Sequence, residues 1–183
     1  MNSVVPEIAV TDSVAPADDL QVPFGNVTEL TSATQTVTVT NSGTGNLLLG
    51  AIADAVPLAA PFAVANDTCT AATLAPAAAC TFDVTFTPGS VGTFNGTLDI
   101  PSNDADEPSV LVTLSGTGTA TPVPNISVTD SVPPATDQSV PFGNVSVGAT
   151  ADETVTVTND GNADLLVGTI ASALAERRIM QQR

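Results

Sequence analysis

The chain has 183 residues, enough for one domain with its own core and part of another, and 43% of them are hydrophobic, with six Phe but no Trp and no Tyr. Nineteen acidic residues stand against three basic ones, a formal charge of −16, and such a surface repels phosphate backbones and anionic lipid headgroups, which argues against nucleic-acid or electrostatic membrane binding. With no His and no Lys, a Ser-His-Asp triad and a Schiff-base lysine are both out of reach.

The predicted elements are short and regularly spaced. "MNSVVPEIAV" opens the chain without the basic start and sustained apolar run of a secretory signal, so any export signal is expected outside this chain. "VPFGNV" (Val22 to Val27) offers Val22, Phe24 and Val27 as apolar contacts, while Pro23 and Gly25 interrupt regular pairing. This places the segment at a sheet edge or at a crossing between sheets. In "TVTVTN", Val37 and Val39 point one way and Thr36, Thr38 and Thr40 the other, as a strand's period of two requires. "CTFDVTF" repeats that alternation with Cys80, Phe82, Val84 and Phe86 inward. "GTFNGTLDI" adds Phe94, Leu98 and Ile100, and "SVLVTLSG" adds Val110, Val112 and Leu114. "NSGTGN", "TPGSVG" and "SNDADEP" carry turn residues between them. Seven or so antiparallel strands over about 115 residues predict a two-sheet sandwich.

Beyond Gly118 the chain starts again. Pro124 to Ala173 aligns without a gap on Pro6 to Ala55, and roughly three-fifths of the positions are identical, as expected of a repeated structural unit. The predicted organisation is a complete all-β sandwich over 1–119, a Pro- and Thr-rich linker over 120–124, a partial second repeat over 125–173 and a basic, helix-prone tail over 174–183. All three basic residues, Arg177, Arg178 and Arg183, fall in that tail.

The order "VPFGNV", "TVTVTNSGTGNLLL", "LAPAAACTFDVTFTPGSVGTFNGTLDIPSND" and "VTLSGTGT" resembles the immunoglobulin-like domains of the abnormal-spindle and hydin group. In bacteria these recur as tandem repeats in exported proteins of the choice-of-anchor D type. The resemblance covers Pro6 to Thr119 and, for the first half of the pattern, Pro124 to Ala173. It implies an immunoglobulin-like antiparallel β-sandwich, and roles that range over spacers, adhesin modules and ciliary or centrosomal scaffolds. Where it holds, Cys69 and Cys80, the chain's two cysteines, close a loop at the sandwich edge. An even count without metal-ligand companions points the same way, and such a bridge implies an oxidising compartment. The competing reading is two reduced thiols.

Candidates for chemistry are few. Asp104, Asp106 and Glu107 lie together in "SNDADEP", and clustered carboxylates suit Ca²⁺, although this stretch lacks the alternating ligands and central Gly of an EF-hand loop. The plainer reading is that Asn103 and Asp104 cap a tight turn. Carbohydrate binding needs exposed aromatic faces, and the Phe residues sit mostly at inward positions. No enzyme activity, cofactor or resident metal is expected.

The second repeat supplies early strands, with Phe142, Val155 and Val157 on its inward face, but has no counterpart of "CTFDVTF", "GTFNGTLDI" or "SVLVTL". Half a sandwich has an apolar face without a lid and strand edges without partners. The expectation is a non-enzymatic extracellular or cell-surface structural or adhesive module, a spacer or fibre building block. Its partners are other protein subunits or copies of itself, joined through strand edges. For the half-domain itself, truncation of a longer repeat array is the first explanation, completion by strands from another subunit the second and packing on the first domain the third; an intracellular protein-interaction scaffold is the competing function.

Overall fold

The computed structural model describes residues 4–53 and 58–170. All regular structure among them is strand, and the chain divides into two compact units, Met1–Thr121 and Pro122–Arg183. The helix-prone tail expected over 174–183 lies outside the described residues.

The first unit contains β1 (Ile8–Asp12), β2 (Gln21–Thr28), β3 (Ala33–Asn41), β4 (Leu47–Leu48), β5 (Phe62–Ala65), β6 (Thr73–Leu74), β7 (Ala79–Phe86), β8 (Gly92–Pro101) and β9 (Ser109–Thr119). One sheet has the order β1-β3-β7-β5 and the other β2-β9-β8, with β4 and β6 forming a small ladder. The four-stranded sheet is antiparallel throughout, as is the pair β8–β9.

A single pairing departs from the antiparallel pattern: β2 runs parallel to β9. A tight turn imposes antiparallel pairing only on strands it joins directly, and β2 and β9 lie at opposite ends of the unit's sequence. As an edge strand β2 tolerates Pro23, which has no N–H to give to a ladder. The register slips between Pro23 and Asn26, where Gly25 adopts φ +64°, a conformation open to a residue without Cβ. The slip keeps Val22, Phe24 and Val27 all buried, so "VPFGNV" is a bulged edge strand.

The alternation read from the sequence is the alternation of the core. Val37 and Val39 of β3, Phe82, Val84 and Phe86 of β7, Leu98 and Ile100 of β8, and Val112 and Leu114 of β9 are almost wholly buried. Their partners in sequence point outward, as in Thr36, whose hydroxyl donates to Asp83 across the sheet at 2.7 Å. Phe24, Phe62, Phe86 and Phe94 meet with ring centroids 4.9–5.8 Å apart, tying β2 to β5, β7 and β8 across the two layers. Phe94 is only half-buried, at the rim of this cluster. A Cβ on Gly116 would lie 2.5 Å from the Phe86 ring, so glycine there lets β9 approach the aromatic cluster.

The second unit contains β10 (Ile126–Asp130) and β11 (Val155–Asn159), paired antiparallel. Its register, from Ile126↔Asn159 to Asp130↔Val155, is that of β1 and β3, Ile8↔Asn41 to Asp12↔Val37, with every residue shifted by 118. The hydrogen bonds shift with it. Ser13 Oγ donates to Gln35 at 2.6 Å and Ser131 Oγ to Glu153 at 2.5 Å; Asn41 Nδ2 donates to the Gly45 carbonyl and Asn159 Nδ2 to the Ala163 carbonyl, both at 2.7 Å. Val140 to Val145 forms no strand, because the partner of its counterpart β2 is β9, and among the described residues the second unit has no β9.

Candidate functional site

The residues singled out in the second repeat lie on the face that its counterpart buries. Phe142 is 52% exposed, Val155 52% and Val157 38%, whereas Phe24, Val37 and Val39 are at 8%, 0% and 0%. Side chains of the same type are thus core in one unit and surface in the other, Val155 and Val157 on a strand of the same register as Val37 and Val39 and Phe142 in a segment that forms no strand. Beside Val155 runs a cleft of about 340 Å³ lined by Val128, Asp130, Gln138, Val140 and Val155; the counterparts of Val140 and Val155 in the first unit, Val22 and Val37, are packed in its core. On its far side from β10, strand β11 pairs with no other strand among the described residues. A strand edge beside an apolar face can accept a further strand, with backbone hydrogen bonds along the edge and alternate side chains entering the cleft.

Cys69 and Cys80 are joined, with Cα atoms 5.2 Å apart. Both are buried, and Cys80 stands opposite Val39 in the β3–β7 ladder. The loop they close is anchored on either side: Asp67 accepts from the Cys69 N–H at 2.7 Å, and the Thr68 N–H donates to the Thr81 carbonyl at 2.9 Å. The bridge therefore ties the irregular segment after β5 to the central strand β7.

The acidic cluster is assembled differently from its sequence grouping. Glu7, Asp104 and Asp106 bring carboxylate oxygens within 4.8 Å of one another, and Glu107 is not of that group. Asp104 is buried and accepts the Ile8 N–H at 2.9 Å, starting β1 where the strand would otherwise leave a donor unpaired. That bond holds the Asp104 carboxyl below the usual carboxylate range. The Asp104 charge in turn raises Glu7, because two like charges disfavour the ionised form. Asn103 in the same turn ties it to β4, its Oδ1 accepting from the Leu48 N–H at 2.8 Å, and Ser102 Oγ donates to the Glu107 carbonyl at 3.0 Å. These side-chain bonds of Asn103 and Asp104 thus reach β4 and β1, while Ser102 Oγ, which also accepts the Asp104 N–H at 3.1 Å, closes the turn itself. Three carboxylates at this spacing also have the hard oxygen character that suits Ca²⁺.

Two residues of structural weight escaped the sequence reading. Glu7 reaches Asp104 across nearly a hundred residues, and no local pattern signals that approach. Asn41 is fully buried with all its polar atoms used, donating to Gly45 and Leu74 carbonyls and accepting from the N–H of Gly43. Its signal is the Asn that ends "TVTVTN" at an inward position of the alternation, a place where an unpaired amide would be costly.

Residues 17–117 match the family described as HYDIN/CFA65/VesB-like, Ig-like domain. The chain belongs to this family. The matched stretch spans β2 to most of β9 and therefore both sheets of the first unit. Among solved structures, similar chains are a protein of unknown function from Porphyromonas gingivalis W83 (TM-score 0.49, 12% identity, 64% of this chain and 49% of that one) and the PapD-like domain 7 of human CEP192 (TM-score 0.47, 13% identity, 66% and 91%). A third is the Vibrio cholerae VesB protease (TM-score 0.46, 19% identity, 61% and 31%). The chain spans about half the length of the first of these and about a third of the protease. No curated protein matches it.

Proposed function

We propose that the chain is a non-enzymatic, extracellular structural or adhesive repeat module, a spacer or surface-fibre building block, whose second repeat is completed by strands from another subunit. One observation carries this reading: the strand pair β1–β3 recurs as β10–β11 with the same register, while the side chains that face the core in the first copy lie open in the second. A repeat built this way extends by addition. Each sandwich is stiffened by its backbone ladders, and the Pro-containing linker over 120–124 joins successive repeats. The disulfide supports an oxidising compartment, and no helix among the described residues is long and apolar enough to cross a membrane. The partners of such a module are protein strands, met along exposed edges.

Mass measurement of protein from its natural source, alkylated with and without reductant, tests the compartment. A closed Cys69–Cys80 pair is expected, and two free thiols would contradict an extracellular address. Size-exclusion chromatography with electron microscopy tests assembly: end-to-end species are expected when the partner is present, and a monodisperse monomer under all conditions would contradict strand completion.

A further inference from the structure

Each unit holds the stretch of chain that leads into it. In the first, the turn after β3 does so: the N–H groups of Thr44 and Gly45 donate to the Val5 carbonyl at 2.8 and 2.7 Å, the Ser42 N–H donates to the Glu7 carbonyl at 2.8 Å, and Thr44 Oγ1 accepts the Val5 N–H at 3.2 Å. The turn after β11 repeats this. There the Asn162 N–H donates to the Val123 carbonyl at 3.0 Å, the Asp160 N–H donates to the Asn125 carbonyl at 2.8 Å, and Asn162 Oδ1 accepts the Val123 N–H at 2.8 Å.

Both turns are written Asn-x-Gly, as Asn41-Ser42-Gly43 and Asn159-Asp160-Gly161. Each Asn shapes its turn by accepting the N–H two residues on, at 3.0 Å in both units, and the same Oδ1 accepts the N–H of Glu7 at 3.4 Å or of Asn125 at 3.2 Å. The glycine makes room for the incoming chain. A Cβ on Gly43 would lie 2.5 Å from the Val5 carbonyl oxygen, and one on Gly161 would lie 2.4 Å from that of Val123. Neither glycine has a positive φ, so the close approach, and not the backbone angle, calls for glycine here. The second unit makes these bonds on a strand pair whose apolar face is open, so they belong to the strand pair and its turn rather than to a closed sandwich.

We infer that the Asn-x-Gly turn is a grip on the incoming chain, and that it shortens the joint between consecutive repeats to residues 120–122. On the first unit's side β9 ends at Thr119, whose carbonyl accepts the Glu29 N–H at 2.8 Å; past it the Thr121 N–H makes a long contact of 3.5 Å with the Glu29 carboxylate. On the other side the grip takes Val123 and Pro124 out of the stretch 120–124. Three residues reach at most about 11 Å. Pro122 has its φ fixed by its ring and holds Thr121 before it to extended angles, so few soft dihedrals remain. That so short a joint serves a spacer rests on the chain being a structural repeat module; the grip itself does not.

Backbone ¹⁵N relaxation on the full chain tests this. Order parameters of Val123 and Asn125 are expected near 0.85, like those of Ile126–Asp130, with values below about 0.6 confined to Ala120 and Thr121. Gly161→Ala is expected to bring Val123 below about 0.6 as well, and Asn162→Ala to lower it by less. Gly43→Ala makes the matching change at Val5 in the first unit, where the buried core keeps the fold should the second unit not tolerate its substitution. Val123 and Asn125 as mobile as Ala120 in the unmodified chain overturn the inference. So does uniform order from Thr119 to Asn125, which leaves no joint to shorten, and so does a Val5 amide that Gly43→Ala leaves unchanged. Free cysteines in the natural protein, or a monomer under all conditions, would contradict the extracellular fibre reading and leave these order parameters standing.

Discussion

Two regions of one molecule, β1–β3 and β10–β11, share most of their sequence, their register and their side-chain hydrogen bonds, and they differ in what lies over them. In the first, β7 and β5 continue the sheet beyond β3, the sheet β2-β9-β8 closes on its apolar face, and the valines of β3 reach full burial; in the second, the same valines meet solvent. Local sequence therefore specifies how the strand pair is built, down to the serine hydroxyl that bridges Ser13 to Gln35 and Ser131 to Glu153. Stability is a different matter. Cross-strand pairs contribute only tenths of a kcal/mol to about 1 kcal/mol each, whereas burying a Val or Phe side chain contributes roughly 1.5–3 kcal/mol, and that term is available only where the second half of the sandwich is present.

The sharpest way to break the comparison is to remove equivalent aromatic rings. Phe24→Ala should cost the first unit about 3–5 kcal/mol in urea unfolding, since its ring fills a closed core. Phe142→Ala should change stability by less than about 0.5 kcal/mol, as at an ordinary surface site. Equal losses would mean that the two faces are equally covered.

Next in size is the bridge, which the second unit lacks. Opening Cys69–Cys80 with reductant, or by Cys69→Ser with Cys80→Ser, should lower the stability of the first unit by roughly 2.5–3 kcal/mol on the loop-entropy account. Signals from β10 and β11 should not move. A shift of both units together under reductant would contradict their independence.

A smaller contrast separates the matched asparagines. Asn41→Ala leaves the Gly45 and Leu74 carbonyls and the Gly43 N–H without a buried partner, at a cost of about 1–3 kcal/mol. Asn159→Ala, where water replaces the lost amide, should cost a few tenths. Thermal melts of the two variants side by side check this, and a cost at Asn159 equal to that at Asn41 would place Asn159 in a core.

The smallest effect is electrostatic and belongs to the first unit alone. Asp104 has a folded-state pKa below its unfolded value, so its contribution is present above about pH 4 and is lost as the pH falls through the depressed value. Glu7 is raised by the Asp104 charge, so its repulsion weakens the fold when both are ionised and fades as the pH falls through the raised value. Glu7→Gln should therefore raise the melting temperature by about a degree or two at pH 7, with the gain fading towards pH 4. A loss at pH 7 would show that Glu7 is held by attraction.

Much of this was legible before any coordinates. The alternation in "TVTVTN" and "CTFDVTF" contains the inward set of β3 and β7, because period two leaves no other way to bury Val37, Val39, Phe82 and Phe86 together. The apolar face of the second repeat was legible for the same reason. What escaped was contact between distant segments. The parallel pairing of β2 with β9 has no turn to announce it, the two-residue strands β4 and β6 are too short for a period, and the acidic group gained Glu7 and lost Glu107 through folding rather than through sequence order. Pro23 and Gly25 signalled an interruption in "VPFGNV", and the register slip that keeps Phe24 and Val27 both inward is its structural form.

Amide hydrogen exchange on the unmodified chain, residue by residue, tests the central claim most directly. Val37–Asn41 and Val155–Asn159 make the same ladder with β1 and β10, but β3 also pairs with β7 while β11 has no second partner among the described residues, so the comparison is confined to the amides that donate into the β1–β3 and β10–β11 ladders. The account predicts that those of Val37 to Asn41 exchange only through global opening of the first unit, while those of Val155 to Asn159 exchange at least about 1,000-fold faster through local opening. Equal, strong protection of both stretches in the isolated chain would contradict it, because the second strand pair would then possess a cover of its own.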